Sequence, residues 1–290
     1  MIFDHLNNTF NNREIALIFY FFLFLLWALT QPKIRESFLT LIKAFFVWRI
    51  QVSVFILLVY VTLIIYLLYL LNFWDTFLIK DTIYWTFGVG FILMFSSDKA
   101  MKEEHYFIFL IRDNFRFLVI IEFIVGLYVF SLVIEFILMP IVIFFLMLLG
   151  YAEVYKEYRQ IKNILQTILS IAGISYLSYS LFHIYQDFNH FATYNTLITF
   201  LFPIIMTSLF IPFAYFYALV TQYELLFIRV GLSIKEDEKL CRYAKWRLLT
   251  SVNFSLYKIK KITPGLLFGG CKTKKEIRNE IANKLNAQQN

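Results

Sequence analysis

Two acidic residues interrupt the most apolar part of this chain. Glu122 and Glu135 both fall in the segment 117–149, which is otherwise dominated by aliphatic and aromatic residues. An acid at membrane depth is costly and usually faces a protein interior, a pore or an ion path. No Lys or Arg lies between Phe117 and Tyr155, so neither carboxylate has a basic partner on its own helix. We therefore expect each to be protonated, paired with another segment or hydrated in a pore, where one Glu per subunit of a symmetric oligomer would form a cation-selecting ring.

Hydroxyl side chains supply a second set of candidate pore residues. The segment 164–186 is the most polar of the apolar runs, and we assign Ser170 and Ser178 to the same pore or ion path. Small hydroxyl residues also promote close helix contact, which is the alternative for this segment. Glu122 likewise has a simpler interpretation, as a residue at the headgroup boundary near Arg116.

A short glycine-containing run invites a comparison with ion-channel filters. Residues 86–90 read Thr-Phe-Gly-Val-Gly, within the apolar stretch 82–96. Val89 stands where a potassium-channel filter has an aromatic residue, and the residues that follow are apolar rather than polar. We therefore expect Gly88 and Gly90 to allow close helix packing instead.

Metal, cofactor and catalytic signatures are weak or missing. His183, Asp187 and His190 recur at helical spacing that suits a divalent metal, but they lie at a predicted outer membrane edge, where such residues usually meet water. Cys241 and Cys271 have no CxxC spacing and no nearby His, which is typical of free thiols. There is no P-loop, GxSxG, HExxH or dinucleotide fingerprint. We therefore expect no metal, no cofactor and no enzymatic activity.

The elements that must position these residues are membrane helices. Hydrophobic residues make up 60% of the chain and charged residues 16%, against about 45–50% and about 25% in soluble domains. Residues 50–74, 163–186 and 188–223 carry no charge at all. About 20 apolar residues in a helix cross a bilayer core of about 30 Å. The composition therefore predicts an all-α, polytopic transmembrane protein.

Charge placement in the loops predicts the topology. The candidate spans are 15–30, 51–74, 82–96, 117–149, 164–186 and 196–220. The loop 31–50 and the tail beyond Thr221 are basic, which favours the cytoplasmic side, whereas the loop 187–195 has no Lys or Arg. An N-terminus outside and a C-terminus inside require an odd number of crossings. Either 117–149 forms two short helices, giving seven spans, or 82–96 is re-entrant and 117–149 is one long helix, giving five.

Two local patterns predict further features of the transmembrane domain. Within 31–50, apolar residues recur at helical spacing and predict an amphipathic, interfacial helix. Pro203 and Pro212 lie within the last span, where prolines bend a helix and free backbone carbonyls. Pro140 is expected to kink the long helix 117–149 in the same way.

The positive charge of the chain is concentrated at its C-terminal end. Residues 234–290 carry 13 Lys and Arg against 5 Asp and Glu, whereas residues 1–233 carry 14 against 15. We therefore predict a transmembrane domain at 1–232 and a small basic cytosolic module at 233–290. Residues 233–236 and 273–276 match the capping box, and they predict helices that run to about Ser251 and to about Lys284.

Basic residues interleaved with Tyr and Trp can bind phosphates and stack bases. We assign an anionic-ligand site to Lys239, Arg242, Lys245, Arg247, Lys258, Lys260, Lys261, Lys272, Lys274 and Lys275. The alternative is a topology signal that contacts anionic lipid headgroups. A homotetramer would gather four such modules around one axis, and the resulting field would attract nucleotides or oligonucleotides.

In architecture the chain resembles the membrane ion-channel effectors of bacterial anti-phage defence, of the Hailong type. Glu135 with the spans around it, and the basic segment 235–284, carry this resemblance. It implies a homo-oligomeric channel of the inner membrane whose cap binds a short single-stranded DNA oligomer made by a partner nucleotidyltransferase. Loss of that ligand would open the pore and depolarise the cell.

Two other classes of function remain open at the level of sequence. An accessory membrane subunit of a larger complex, such as a respiratory one, would bury its spans against foreign helices. A membrane-embedded enzyme would use Glu122, Glu135 or the residues around His183 as its acid groups. Homo-oligomerisation and ion passage would favour the channel over both.

Overall fold

A computed structural model describes residues 10–96, 106, 117–234, 237–263, 268, 271 and 273–286. The structure is 88% helical, and these residues contain no strand. The predicted all-α fold class is therefore confirmed. The helices in chain order are α1 (Asn12–Thr30), α2 (Pro32–Phe45), α3 (Trp48–Leu70), α4 (Thr76–Phe95), α5 (Phe117–Leu127), α6 (Leu132–Val154), α7 (Arg159–Gln186), α8 (Tyr194–Ser233), α9 (Glu238–Val252), α10 (Leu256–Ile262) and α11 (Lys274–Asn286).

Six of these helices are long and apolar enough to cross a membrane, counted over the described residues: α1, α3, α4, α6, α7 and α8. By helix length and composition, these six helices are candidate membrane spans. The predicted total of five or seven crossings, and the side on which the C-terminus lies, remain predictions. α2 is the predicted amphipathic helix, and every one of its residues is exposed.

The segment 117–149 forms two helices, as the first of the two alternatives has it, and the single long helix of the second alternative is wrong. α5 ends at Leu127 and α6 begins at Leu132, and residues 128–131 between them are not helical. α6 continues through Pro140 to Val154. The interruption therefore falls where the sequence has no proline, and its cause lies in tertiary contacts.

The run 86–90 is helical rather than extended. It belongs to a π-helical turn, Trp85–Gly90, in the middle of α4. Its carbonyls therefore do not form an extended ion filter. The expectation of close helix packing also fails at Gly88, where a Cβ would meet no described atom within 4 Å. At Gly90 a Cβ would lie 3.2 Å from the ring of Trp85, so this glycine makes room for a side chain of its own helix.

The chain divides into two compact units. The first comprises Met1–Ile56 with Phe115–Phe202, and in it α6 packs against α1 and α7. Ala16, Met139 and Tyr176 are buried where these three helices meet.

The second unit comprises Leu57–Asn114 with Pro203–Asn290. Its largest core joins the C-terminal half of α8 to α9, α10 and α11, with fully buried Ala244 and Leu248 from α9, Ile259 from α10 and Ile277 from α11. The basic helices thus fold onto the extension of α8. The predicted domain boundary at 232/233 remains a prediction.

Local details of the basic helices differ in part from the expectation. Ser233 belongs to the end of α8, and α9 is instead capped by Asp237, whose side chain accepts a hydrogen bond from the Leu240 amide at 2.9 Å. The cap at α11 is present, because Thr273 Oγ1 accepts from the Glu276 amide at 3.3 Å. The predicted ends of both helices are confirmed within two residues. α10 is a short helix that the sequence pattern did not predict.

Candidate functional site

The break between α5 and α6 is surrounded by polar side chains of the first unit. Ending one helix and starting another leaves backbone N–H and C=O groups without helical partners. Inside a bilayer such groups must be satisfied by the protein itself or by water in a cavity. Asn12 Nδ2 donates to the Phe130 carbonyl at 3.0 Å, and Ser180 Oγ donates to the Tyr128 carbonyl at 3.0 Å. Side chains of α1 and α7 therefore donate hydrogen bonds to backbone carbonyls at the break.

Two charged residues complete this arrangement. Arg13 Nη1 donates to the Val125 carbonyl near the end of α5, at 3.3 Å. The Phe130 amide donates to Glu135 Oε1 at 3.1 Å. Glu135 lies in the first turn of α6, where the helix dipole favours an anion. One cation and one anion thus satisfy backbone groups on either side of the break.

Glu135 is completely buried and has a partner on another segment. Its side chain is 0% exposed, and Arg13 Nε lies 3.5 Å from its Oε1 atom. Tyr176 donates its hydroxyl to Oε2 at 3.3 Å, and the guanidinium carbon of Arg13 lies 4.5 Å from the centre of the Tyr176 ring. Of the three states expected for this acid, the structure contains the paired one. A role of Glu135 in an ion path stays a prediction.

Arg13 has more donors than the cluster uses. Its Nε and Nη2 atoms are buried and make no hydrogen bond to the described residues. Its Nε nevertheless lies within ion-pair distance of Glu135. Charge attraction, rather than a well-directed hydrogen bond, therefore holds this pair. The Arg13–Glu135–Tyr176 cluster is our candidate site in the first unit.

Arg13 and Tyr176 were not predicted as members of this site. One signal was present, because Arg13 is the only Lys or Arg before Lys33 and it stands at the start of an apolar run. Tyr176 carried no distinguishing signal among 19 tyrosines. The other predicted acid, Glu122, is exposed on α5 and differs from Glu135 in this respect.

The predicted pore serines lie on the uncovered side of α7. Ser170 and Ser178 are exposed, whereas Tyr176 and Ser180 are buried in the first unit. Gln166, Ser170 and Gly173 recur at spacings of four and three residues, which places them on one face, and all three are exposed. We call Gln166, Ser170 and Gly173 the polar face of α7.

In the second unit, a π-helical turn is attached to a proline-containing helix. Trp85 Nε1 donates to Thr207 Oγ1 at 3.0 Å, and Thr207 in turn donates to the Pro203 carbonyl at 2.8 Å. The Trp85 ring also meets Phe210 edge to face, at 5.2 Å between centroids. These contacts fix the π turn of α4 on α8.

The basic residues of the second unit are only partly clustered. Lys274 Nζ lies 5.4 Å from the ring centre of Tyr243, which joins the start of α11 to α9. Lys239 and Arg247 lie four residues before and after Tyr243, on the same helix face. The Arg247 Nε atom is buried and forms no hydrogen bond within the described structure. We call Lys239, Tyr243, Arg247 and Lys274 the basic cluster.

The other predicted ligand residues lie outside this basic cluster. Arg242 pairs with Glu238 at 3.0 Å on the exposed side of α9, and Lys245 Nζ lies 5.9 Å from the Phe227 ring centre. Lys258, Lys260 and Lys275 are exposed. Lys272 and the side chain of Lys261 lie outside the described residues.

The histidine pattern does not form one helix face. α7 ends at Gln186, and Asp187 precedes a separate short helix, Phe188–Phe191. The His183 ring instead stacks on Tyr128, with 5.7 Å between centroids and 12° between planes. Among the residues that the structure describes, no three His, Cys, Asp or Glu side chains come together as metal ligands do.

Cys241 and Cys271 are both free thiols. Burial raises the pKa of the Cys271 thiol, and the negative charges of Glu280 and Glu276 raise that pKa further. The reactive thiolate form of Cys271 is therefore scarce at neutral pH.

Comparison with known proteins gives no family for this chain. No protein-family model matches it, and neither a curated protein nor a solved structure does.

Proposed function

We propose that this chain is a homo-oligomeric ion channel of the inner membrane that responds to an anionic ligand at its C-terminal helices. The observation that carries the proposal is the polar face of α7. Gln166 and Ser170 are exposed in the single chain although they belong to an apolar helix of membrane-spanning length. Polar groups in a membrane are costly where they face lipid and usually face a protein interior or water.

An oligomer places this polar face in a favourable environment. Other positions of α7 are already occupied, because Tyr176 and Ser180, about 120° and 80° around the helix from Ser170, are buried against other elements of the first unit. Further subunits of the same chain, or the water-filled path between them, are what remains to cover Gln166 and Ser170. Ser178 extends the same exposed half of the helix.

We place the C-terminus in the cytoplasm with five crossings, made by α1, α3, α6, α7 and α8, and with α4 as the re-entrant element. α5 has 11 residues, and about 20 are needed to cross the apolar core. The basic loop 31–50 and the basic tail then lie on the inner side. Arg13 at the start of α1 and Glu135 at the start of α6 both lie towards the outer side. Mixed 3₁₀, α and π turns in α4 suit an element that enters and leaves the membrane on one side.

The basic cluster is the proposed ligand site. Lys274 beside Tyr243 combines a cation with an aromatic ring, which suits a phosphate next to a stacked base. The resemblance to anti-phage channel effectors implies a short single-stranded DNA ligand, made by a partner nucleotidyltransferase, whose loss opens the channel. The proposal of a channel depends on the polar face of α7 and does not require that particular ligand.

The test is cysteine accessibility during ion flux. In a chain with Cys241→Ser and Cys271→Ser, Ser170→Cys is reconstituted in liposomes and treated with a charged methanethiosulfonate. We expect loss of cation flux in this variant. Ser175→Cys is the control, because Ser175 is also exposed but lies about 140° around the helix from Ser170.

Three results would overturn the proposal. Liposomes that show no flux with the unmodified protein would reject a channel. Equal block at Ser170→Cys and Ser175→Cys would remove the polar face of α7 from the path. A chain that purifies as a monomer, or only together with other membrane proteins, would favour an accessory subunit of a larger complex.

A further inference from the structure

The turn between α9 and α10 is fastened to the membrane helix α8. Tyr215 of α8 donates its hydroxyl to the Phe254 carbonyl at 2.7 Å. Tyr223, two turns further along α8, donates its hydroxyl to the Asn253 carbonyl. Asn253 has φ 52° and ψ −137°, angles close to those of the first central position of a type II′ turn, which Gly, Asn and Asp favour. Residues 253–255 therefore have a fixed position beside α8.

This part of α8 lies where the helix leaves the apolar layer. Residues 188–223 carry no charge, and Glu224 is the first charged residue of α8. About 20 residues suffice to cross the apolar core, and α8 begins at Tyr194. Tyrosines are enriched at the headgroup level of membrane helices, which is where Tyr215 and Tyr223 then lie. The turn that they hold must lie at that level too.

The residues around the turn are large, apolar and uncovered. Phe254 is 72% exposed, Tyr257 66% and Trp246 58%. They lie on the side of α9 and α10 that does not contribute to the core of the second unit, which takes Ala244, Leu248 and other residues instead. Large aromatic groups exposed together mark an interaction surface.

The exposed face of α9 changes character along its length. Lys239, Arg242, Trp246 and Leu249 follow one another at spacings of three and four residues, and all four are exposed. The basic pair stands at the start of the helix, and the apolar pair stands next to the turn. An exposed helix face with basic and apolar parts is typical of a segment that lies in the membrane interface.

We infer that Trp246, Leu249, Phe254 and Tyr257 form an anchor that inserts into the headgroup region of the membrane that the chain itself spans. Anionic phospholipids are the partner. The C-terminal 57 residues carry 13 Lys and Arg against 5 Asp and Glu, and polybasic segments next to a membrane helix are attracted to anionic lipid. Lys258 is exposed on α10, one residue after Tyr257.

This anchor is separate from the proposed ligand site and from the proposed channel. The basic cluster uses Tyr243 and Lys274, whereas the anchor uses the turn and the apolar end of α9. Any membrane protein that contained these helices would have the same anchor. A negative result in the ion-flux test would therefore not contradict the proposed anchor.

Spin-label depth measurements on the full chain test the inference. In the Cys241→Ser, Cys271→Ser background, Phe254→Cys or Leu249→Cys carries the label, and Asn279→Cys on α11 is the control because Asn279 is exposed. The protein is reconstituted in vesicles of phosphatidylglycerol and phosphatidylcholine, or of phosphatidylcholine alone. We expect the labels at 254 and 249 to collide severalfold more with oxygen than with a water-soluble nickel complex. The label at 279 should show the reverse.

The lipid composition decides the role of charge. In phosphatidylcholine alone, the labels at 254 and 249 should become more accessible to nickel. Labels at 254 and 249 that behave like the one at 279 in both vesicles would overturn the anchor. Deep insertion that is identical in both vesicles would overturn the requirement for anionic lipid. Protection at 254 only when a short oligonucleotide is added would identify the surface as a nucleic-acid site instead.

Discussion

Arg13 and Glu135 form a buried ion pair between the first described helix and the first turn of α6, with 3.5 Å between Nε and Oε1. Each partner also holds the backbone of the α5–α6 break, through the Val125 carbonyl and the Phe130 amide. The pair therefore does two things at once. It neutralises two charges inside an apolar unit, and it provides hydrogen-bond partners for backbone groups at the break between α5 and α6.

Removing the charge of Glu135 alone should destabilise the protein. Glu135→Gln leaves Arg13, whose Nε and Nη2 atoms are buried, without its counter-ion. Breaking a fully buried pair typically costs about 3–5 kcal/mol, and this is an upper bound here because the Arg13 side chain is 19% exposed. We expect a clearly lower midpoint in thermal unfolding monitored in detergent. Glu122→Gln is the matched control, because Glu122 is an exposed acid of the same apolar region. Equal midpoints for the two variants would show that the pair contributes nothing.

The double variant Arg13→Gln, Glu135→Gln separates charge from packing. Both side chains keep hydrogen-bonding groups, and neither leaves an unpaired buried charge, so it should be more stable than either single variant. If the Glu135 charge acts on an ion path, cation selectivity should fall. The reversal potential under a salt gradient measures this. An unchanged reversal potential in an assembled double variant would remove Glu135 from the path.

Tyr20 compensates for a proline in α6. Pro140 has no N–H to donate to the Phe136 carbonyl four residues earlier, and Tyr20 donates its hydroxyl to that carbonyl at 2.7 Å. Tyr20→Phe leaves this part-buried acceptor unsatisfied and should therefore cost at most about 1–3 kcal/mol, the penalty for a fully buried one. Tyr69→Phe, at a tyrosine of α3 that is 58% exposed, should be close to neutral in the same unfolding assay.

The basic cluster makes a prediction about oligonucleotide binding. Lys239→Gln with Lys274→Gln removes two cations beside Tyr243, so the affinity for a short fluorescent single-stranded DNA should fall and its salt dependence should become shallower. Fluorescence anisotropy at several salt concentrations measures both. Lys284→Gln removes a charge from the last turn of α11 and should have less effect than either single Lys→Gln change. No retention by the wild type at low salt would end the nucleic-acid hypothesis.

Cys271 reports on the packing of α11. Burial, Glu280 and Glu276 raise the pKa of its thiol, so only the small thiolate fraction reacts at neutral pH. In a Cys241→Ser background, Glu280→Gln removes one repelling charge, lowers that pKa and should speed alkylation by iodoacetamide at pH 7.5. Glu238→Gln, at the start of α9, is the control and should leave the rate unchanged. A rate insensitive to Glu280 would contradict the position of Cys271 beside α11.

The sequence by itself determined the class of protein and the positions of most helices. Long uncharged runs leave little choice in a bilayer, because only a helix satisfies its own backbone there. The basic tail, the cap at Thr273 and the helix at 32–45 are likewise local features. Local patterns of this kind can be recognised without knowing what lies opposite them. The sequence pattern predicted neither α10 nor the π turn of α4, because both depend on the residues that pack against them.

Only the tertiary structure decided where the segment 117–149 is interrupted and what Glu135 contacts. Residues 128–131 contain neither Gly nor Pro. At the break, Asn12, Arg13 and Ser180 donate hydrogen bonds to backbone carbonyls, in place of bonds within a continuous helix. These partners are distant in sequence and carry no common motif. The free energy of a buried charge depends on what surrounds it in space, so the partner of Glu135 became visible only once α1, α6 and α7 were packed together.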